Sequence, residues 1–488
     1  MNNKGLISHQ LIVVTGGLLL LATIVWLSWP QTLPITDLTL AGSLSSLDNR
    51  APEESGQRAM PQVNTEALGK QGDLAFVSQG LLYVAEGDSG SARALTDSGR
   101  ATAPAWSHDG EWLAFIRVTA ADTDRGPLWL VRRDGSAAHE VQGLPETLWD
   151  WSFSWSPTTN QLVVAVHGYG LWLVPTTGQP EQLDPAPWLY RAAWSPDGRY
   201  LAYNFCLSGD TPRDDGDHDI LCVMDVERRQ RFDLVQTDNA GVRLLGWWPD
   251  GQGILYWEVP AHGGSVATDG IMIQSVPLAY TQANGSPIIT AANTDPVGTM
   301  LKRANANSPQ PVELVITLPK PHWAKFTANG KLLAVEGGGR IAWTNKHLAL
   351  IDLKSGKSEQ LVGPRGRVML DPDSSTTDGR IAFVAAPDLG DTWGLTEAEF
   401  ADWKAKRTLW VRGNKGQLHE LTQAGDDIYG PTWSADGTQI RYFSHNALWT
   451  IAADNQSAPQ QIVDLGPCEG KGIYGSIDYN AYFDWHER

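Results

Sequence analysis

One short hairpin, written into the chain again and again, limits its fold more than any other feature. The clearest copy is Ala193-Trp194-Ser195-Pro196-Asp197-Gly198-Arg199-Tyr200-Leu201-Ala202-Tyr203. An apolar residue and a Trp end one strand, Ser-Pro-Asp-Gly supplies a tight turn, and Leu201 onward starts the next strand. Ile220-Leu221-Cys222-Val223-Met224-Asp225 then reads as a third strand and Arg231-Phe232-Asp233-Leu234-Val235 as a fourth. Four short antiparallel strands cannot bury both faces alone, so the unit requires neighbours of its own kind.

The neighbours are present. Ala105-Trp106-Ser107-His108-Asp109-Gly110, Ser154-Trp155-Ser156-Pro157, Trp247-Trp248-Pro249-Asp250-Gly251, Lys325-Phe326-Thr327-Ala328-Asn329-Gly330, a degenerate Asp378-Gly379-Arg380-Ile381-Ala382-Phe383 and Thr432-Trp433-Ser434-Ala435-Asp436-Gly437 repeat it. An eighth unit opens without a first strand: Asp73-Leu74-Ala75-Phe76-Val77, Leu81-Leu82-Tyr83-Val84 and Arg93-Ala94-Leu95-Thr96 read as its second, third and fourth. The other end of the chain, Asp478 to Trp485, carries the aromatic pattern of a first strand. Pairing of the two ends closes a ring and removes its open sheet edges. The expected fold is therefore all-β, a propeller of eight four-stranded blades, or seven if the Asp378-Gly379 unit is an insertion.

The Trp-Ser-Pro-Asp-Gly hairpins, the Leu-Trp and Leu-Tyr third strands and the Glu420-Leu421-Thr422 ending resemble the WD-like repeats of TolB-type β-propellers, also found in the propeller domains of tricorn-type and prolyl-oligopeptidase-type peptidases. The resemblance spans about residue 69 to the C-terminus. It implies a fold and leaves function open, because propellers host binding, scaffolding and catalysis alike.

Ahead of the repeats, residues 1–10 hold one cation, Lys4, and no acid. Residues 11–29 are free of charge and rich in Leu, Val and Ile, the length of a bilayer-crossing helix, with Trp26 and Trp29 at the far end. Ala41-Gly42-Ser43 lies too far on to serve as the cleavage site of a signal peptide. The expectation is an uncleaved single-pass anchor with residues 1–10 in the cytoplasm, 30–68 as a Pro- and Ser-containing linker, and a propeller over 69–488 on the extracytoplasmic side. The net charge of −18 argues against nucleic acid as a partner.

Eight blades in 69–488 take about 52 residues each, more than a minimal blade needs. The surplus gathers between second and third strands, at 119–127, 208–219, 260–270, 337–346 and 386–407. In an up-and-down blade these connections leave by one face, which makes that rim the expected ligand surface for a protein, peptide or glycan. Within the longest, Thr396 with Glu399 is a capping-box pattern opening a helix, and Trp393 and Trp403 are candidate ligand contacts. A further excursion, 277–308, is expected between the third and fourth strands of blade 5.

The 208–219 loop is acidic, with Asp210, Asp214, Asp215 and Asp217 as candidate ligand residues. Asp214, Asp215 and Asp217 around Gly216 suit a hard cation such as Ca²⁺. The distal Glu of a calcium loop is absent, so a solvated acidic loop and no cofactor are the expectation. Cys206 and Cys222 flank the loop on adjacent strands and are expected to form a disulfide across it, provided both face the same side of the sheet.

No Gly-x-Ser-x-Gly elbow, His-Glu-x-x-His or phosphate loop occurs, and no segment after the last repeat is long enough for a hydrolase domain. No catalytic residue is assigned. The expected function is a membrane-tethered binding or scaffolding propeller; the alternative is a propeller enzyme, a metal-dependent hydrolase or lyase, with its site at the central channel.

Overall fold

The computed structural model describes residues 60–487 except 70, 88–91, 119–124, 146–147, 150–151, 187, 207–218, 238–239, 261–271, 284–285, 292–323, 338–340, 354–356, 391, 393 and 469–478. The acidic loop with Asp210, Asp214, Asp215 and Asp217, the anchor expected at 11–29, and Trp393 all lie outside the described residues. No helix among those described is long and apolar enough to cross a membrane.

Eight four-stranded antiparallel sheets follow one another, joined by a minor two-stranded ribbon. The chain is an eight-bladed β-propeller. Blade 1 is the composite expected from the sequence: Phe483–His486 pairs with Asp73–Ser78, Leu74 opposite Trp485 and Phe76 opposite Phe483. The degenerate Asp378-Gly379 unit is a complete blade 7, built from Arg367–Ser374, Ile381–Pro387, Thr408–Arg412 and Leu418–Glu420. First strands of successive blades pack on one another, which makes them the inner strands, while fourth strands are largely exposed.

The repeated residues explain the packing. In blade 4 the Ser195 hydroxyl donates to Asp197 at 2.6 Å and accepts the Tyr200 N–H at 2.8 Å, closing the turn from inside. Gly198 sits at φ +70, and a Cβ there would strike Thr158 of the blade before, so both its backbone and its neighbour require glycine. The Trp ahead of the Ser latches blade to blade. Its indole N–H donates to an inner-strand carbonyl of the preceding blade: Trp106 to Asp484 (3.3 Å), Trp155 to Ala105 (3.0 Å), Trp194 to Ser154 (3.2 Å), Trp247 to Ala193 (3.0 Å) and Trp433 to Asp373 (3.3 Å). An indole suits this seam because it buries a large apolar surface and still satisfies its one donor.

Where the ring closes, Trp485 lies under the Arg441 guanidinium at 4.5 Å, and Arg441 also pairs with Glu487. The Asp484 carboxylate accepts the Trp106 backbone N–H at 2.8 Å; burial pushes its pKa up to about 6 against the pull of that bond.

Four features depart from the sequence-based expectation. The end of the stretch expected as a linker, residues 63–68, belongs to the propeller: Val63 bridges Val463, Asn64 caps the helix Thr65–Leu68, and Ala67 and Leu68 are buried beside Ile462 and Leu465. The third strand of blade 5, Met272–Ala283, changes partner at Pro277, pairing first with Gly253–Pro260 and then with Ser286–Ala291. Residues 278–283 and 286–291, expected in an excursion between the third and fourth strands, are thus parts of those strands, and Pro277, which reads as a strand breaker, sits where the pairing changes over.

The disulfide does not form. Cys206 pairs with Asp219 in register, whereas Cys222 pairs with Tyr203, three residues away along the same strand. An odd separation puts the two sulfurs on opposite faces of the sheet, and both remain buried thiols. Cys222 Sγ donates to the Tyr203 carbonyl at 3.4 Å; the Cys206 thiol bonds the Asp219 carboxylate.

The fourth is a kink in three inner strands. A left-handed residue precedes a proline at Ala103-Pro104 (φ 52), Asp371-Pro372 (φ 47) and Gly430-Pro431 (φ 51), each with a slip in register. The signal available in the sequence was a Pro two residues ahead of the latch position.

Candidate functional site

The second-to-third-strand connections and the links from one blade to the next share a face. In blade 2, Arg125–Gly126 pairs with Leu148–Trp149 of the link into blade 3, forming the minor ribbon. Among the described residues, the most extensive structure on this face stands over blades 6 and 7. There the 337–346 loop and the 386–407 excursion are stitched together: Leu389 N–H donates to the Trp343 carbonyl (2.9 Å), the Trp343 indole to the Thr392 carbonyl (2.9 Å) and the Thr344 hydroxyl to the Gly390 carbonyl (2.7 Å).

The capping box read from the sequence is real. Thr396 N–H donates to Glu399 Oε2 at 2.8 Å, Glu399 N–H returns a bond to Thr396 Oγ1 at 3.3 Å, and the helix runs Glu397–Ala405. The Thr396 N–H and the Thr396 hydroxyl, which donates to the same Oε2 at 2.7 Å, hold the Glu399 carboxyl below its usual range. The helix turns Phe400 and Trp403 inward onto Trp343, with ring centroids 5.9 Å apart in each case. Trp403, a candidate ligand contact from sequence, is only 2% exposed and donates its indole N–H to the Pro387 carbonyl at 2.9 Å. It builds the platform and offers no open ring face.

Two buried cations support the platform. Arg407 ends the excursion at 1% exposure, pairs with Asp371 at 2.7 Å and lies 4.1 Å over the Tyr429 ring. Asp371 is the left-handed residue of the blade 7 kink, so the irregular inner strand carries the acid to its partner. Arg407, the Tyr429 hydroxyl and Asp427 form a polar seam at blades 7 and 8. Burial pushes the Tyr429 hydroxyl well above its usual range. Lys346 is fully buried and donates to the Thr344 carbonyl at 2.9 Å; burial lowers its pKa to about 8, with Asp388 opposing the shift.

Beside the platform a groove of about 350 Å³ opens between blades 6 and 7. Leu361, Val362, Pro364 and Met369 give it an apolar floor and lip; His347 and Arg367 stand at its sides. Arg367 is fixed by bonds from Nη1 to the Thr408 hydroxyl (3.2 Å) and the Lys406 and Ala385 carbonyls (3.4 Å each). The acid of the lining, Asp388, accepts the Gly390 N–H at 2.9 Å and the Asn345 N–H at 3.3 Å through Oδ1. Composition alone did not reveal this groove, because its residues come from two blades. Among the described residues no group of three or more His, Cys, Asp or Glu side chains is placed to hold a metal ion.

No protein-family model matches the chain, and no curated protein does. Solved structures do. Dipeptidyl peptidase 4 of Porphyromonas gingivalis superposes with a TM-score of 0.53 at 9% identity, over 83% of this chain and 58% of that one. TolB of Acinetobacter baumannii gives 0.33 at 14% identity, over 74% of this chain and 66% of that one. An oligogalacturonate lyase of Vibrio parahaemolyticus gives 0.42 at 12% identity, over 80% of this chain and 98% of that one. What they share is the propeller. This chain thus spans less than two thirds of the TolB and peptidase chains, and at these identities the likeness reaches the fold and goes no further.

Proposed function

We propose that this protein is a binding module that engages a protein partner through its insertion-bearing face, held at the outer side of a membrane by the apolar segment 11–29. The observation that carries this reading is the cross-stitched platform over blades 6 and 7. A connection needed only to turn the chain takes a few residues. This one runs to about twenty, has its own capped helix and aromatic core, and stands beside an open groove. Ordered loops of that kind on a rigid scaffold are the usual seat of recognition.

A photo-crosslinking amino acid placed at Val362 or Glu397 in the full-length chain, in its own membranes, tests the face. The control position is Tyr280, whose hydroxyl bonds Gly251 in a turn on the opposite face. Adducts at Val362 or Glu397 and none at Tyr280 support the reading; adducts confined to Tyr280 overturn it. The anchor is tested separately by alkaline carbonate extraction. The full chain is expected in the pellet and a chain lacking residues 1–29 in the supernatant.

A further inference from the structure

We infer that the groove between blades 6 and 7 takes an acidic peptide segment, seating an apolar side chain on its floor and carboxylates at its lip. The inference rests on the proposal that this face binds a protein and specifies which chemistry it prefers.

Charge is the first argument. The chain carries a net −18, yet two arginines stand at this groove. Arg367 lines the groove and exposed Arg365 lies between lining residues Pro364 and Gly366, while the His347 ring on the same lining meets Asn345 Oδ1 at 2.8 Å. Against them stands Asp388, with Oδ1 already engaged by two backbone N–H groups. A local excess of positive charge on an acidic surface steers and selects carboxylates, while the rest of the molecule repels them. The Arg367 guanidinium is held by three carbonyl and hydroxyl oxygens, so it meets a ligand in a preset orientation.

The apolar lining decides between a peptide and an acidic glycan. Val362 is 74% exposed at the lip, above Leu361, Pro364 and Met369. Sugar rings are gripped by open aromatic faces, and the groove lining contains none. The nearby aromatic residues Trp343, Phe400 and Trp403 stack on one another, and both indole N–H groups are committed to carbonyls. An aliphatic floor beside Arg365 and Arg367 fits a leucine-like side chain flanked by Asp or Glu.

The test uses the full-length chain and a fluorescein-labelled, end-capped Glu-Glu-Leu-Glu-Glu peptide, followed by anisotropy. Gln-Gln-Leu-Gln-Gln and a uronic-acid tetrasaccharide of the same charge serve as comparisons. The acidic peptide is expected to bind at least tenfold more tightly than either. Its affinity should fall with added salt, and fall at least fivefold in each of Arg365→Glu and Val362→Ser, two surface changes checked by unaltered circular dichroism and melting temperature. No binding of the acidic peptide, equal binding of the Gln peptide, or indifference to both substitutions overturns the inference. So does equal binding of the saccharide through the same residues, which would make the ligand a glycan. Crosslinks at Val362 alongside a failed peptide assay would remove the acidic preference alone and leave the binding face standing.

Discussion

Two arcs of the ring are held together by different means. From blade 1 to blade 5, and again from 7 to 8, an indole N–H crosses each inner seam to a carbonyl of the blade before. Entering blades 6 and 7 the latch is missing, because Phe326 and Ser374 occupy its position. The seam between blades 6 and 7 is crossed instead by the Lys325–Asp373 ion pair at 2.9 Å, and above it by the stitched loops with their packed Trp343, Phe400 and Trp403. The repeat has been relaxed where the chain built something specific. A latch ties each blade to the one before by the same bond, whereas the loop platform ties blades 6 and 7 through hydrogen bonds and packed rings of its own, and it leaves a groove beside them.

The sharpest way to break the contrast is within the platform. Trp403→Ala removes a fully enclosed ring and should cost about 3–5 kcal/mol in chemical denaturation. A loss below about 1 kcal/mol would show that the excursion is a passenger on blade 7. Asp371→Ala strands the Arg407 charge in the interior and should cost about 3–5 kcal/mol, while the paired change Asp371→Ala with Arg407→Met should recover most of it, since the penalty comes from the uncompensated ion. A double variant no better than the single would mean that the carboxylate does something other than neutralise Arg407.

In the latched arc the expected effects are smaller. Trp194→Phe keeps a six-membered aromatic ring on a half-buried position and drops the N–H and its hydrogen bond, for about 1–2 kcal/mol. A loss of the size seen for Trp403→Ala would erase the distinction between the arcs.

The two arcs should also lean opposite ways with pH. Asp484 has its folded pKa raised to about 6 from the ordinary 3.8, so the stability it adds is present below about 4 and is lost as pH rises through 6. Lys346 has its folded pKa lowered to about 8 from 10.5, so the folded state pays for protonating it, and its contribution grows as pH rises from 8 toward 10.5. Melting temperatures of Asp484→Asn and Lys346→Met across pH 4–10 check this. Each variant should flatten the profile in its own window and leave the other window unchanged.

Much of the fold was legible because the repeat is local. Ser-Pro-Asp-Gly closes its own turn, a Trp ahead of it marks an inner strand, and a unit lacking a first strand at one end with a spare first strand at the other announces closure. The helix on the 386–407 excursion was equally readable, since a capping box is satisfied within four residues. The groove was not: His347, Val362 and Asp388 lie on different connections of two blades, and nothing in their spacing announces that they meet. Trp403 looked like a ligand contact because an aromatic residue in a long loop gives no sign of which way it will turn.

By itself, then, the order of residues determined the blade, because hydrogen bonds within a hairpin and tight turns depend on neighbours a few residues away, and it announced closure by a strand missing at one end and spare at the other; that the Asp378-Gly379 unit makes an eighth blade was settled by its pairing in the fold. Tertiary packing decided the rest. It set the sheet face on which each cysteine lies, which a one-residue shift of register reverses. It set which aromatic rings are buried and which cations gather at one groove, because those outcomes depend on segments that meet only once the blades have closed into a circle.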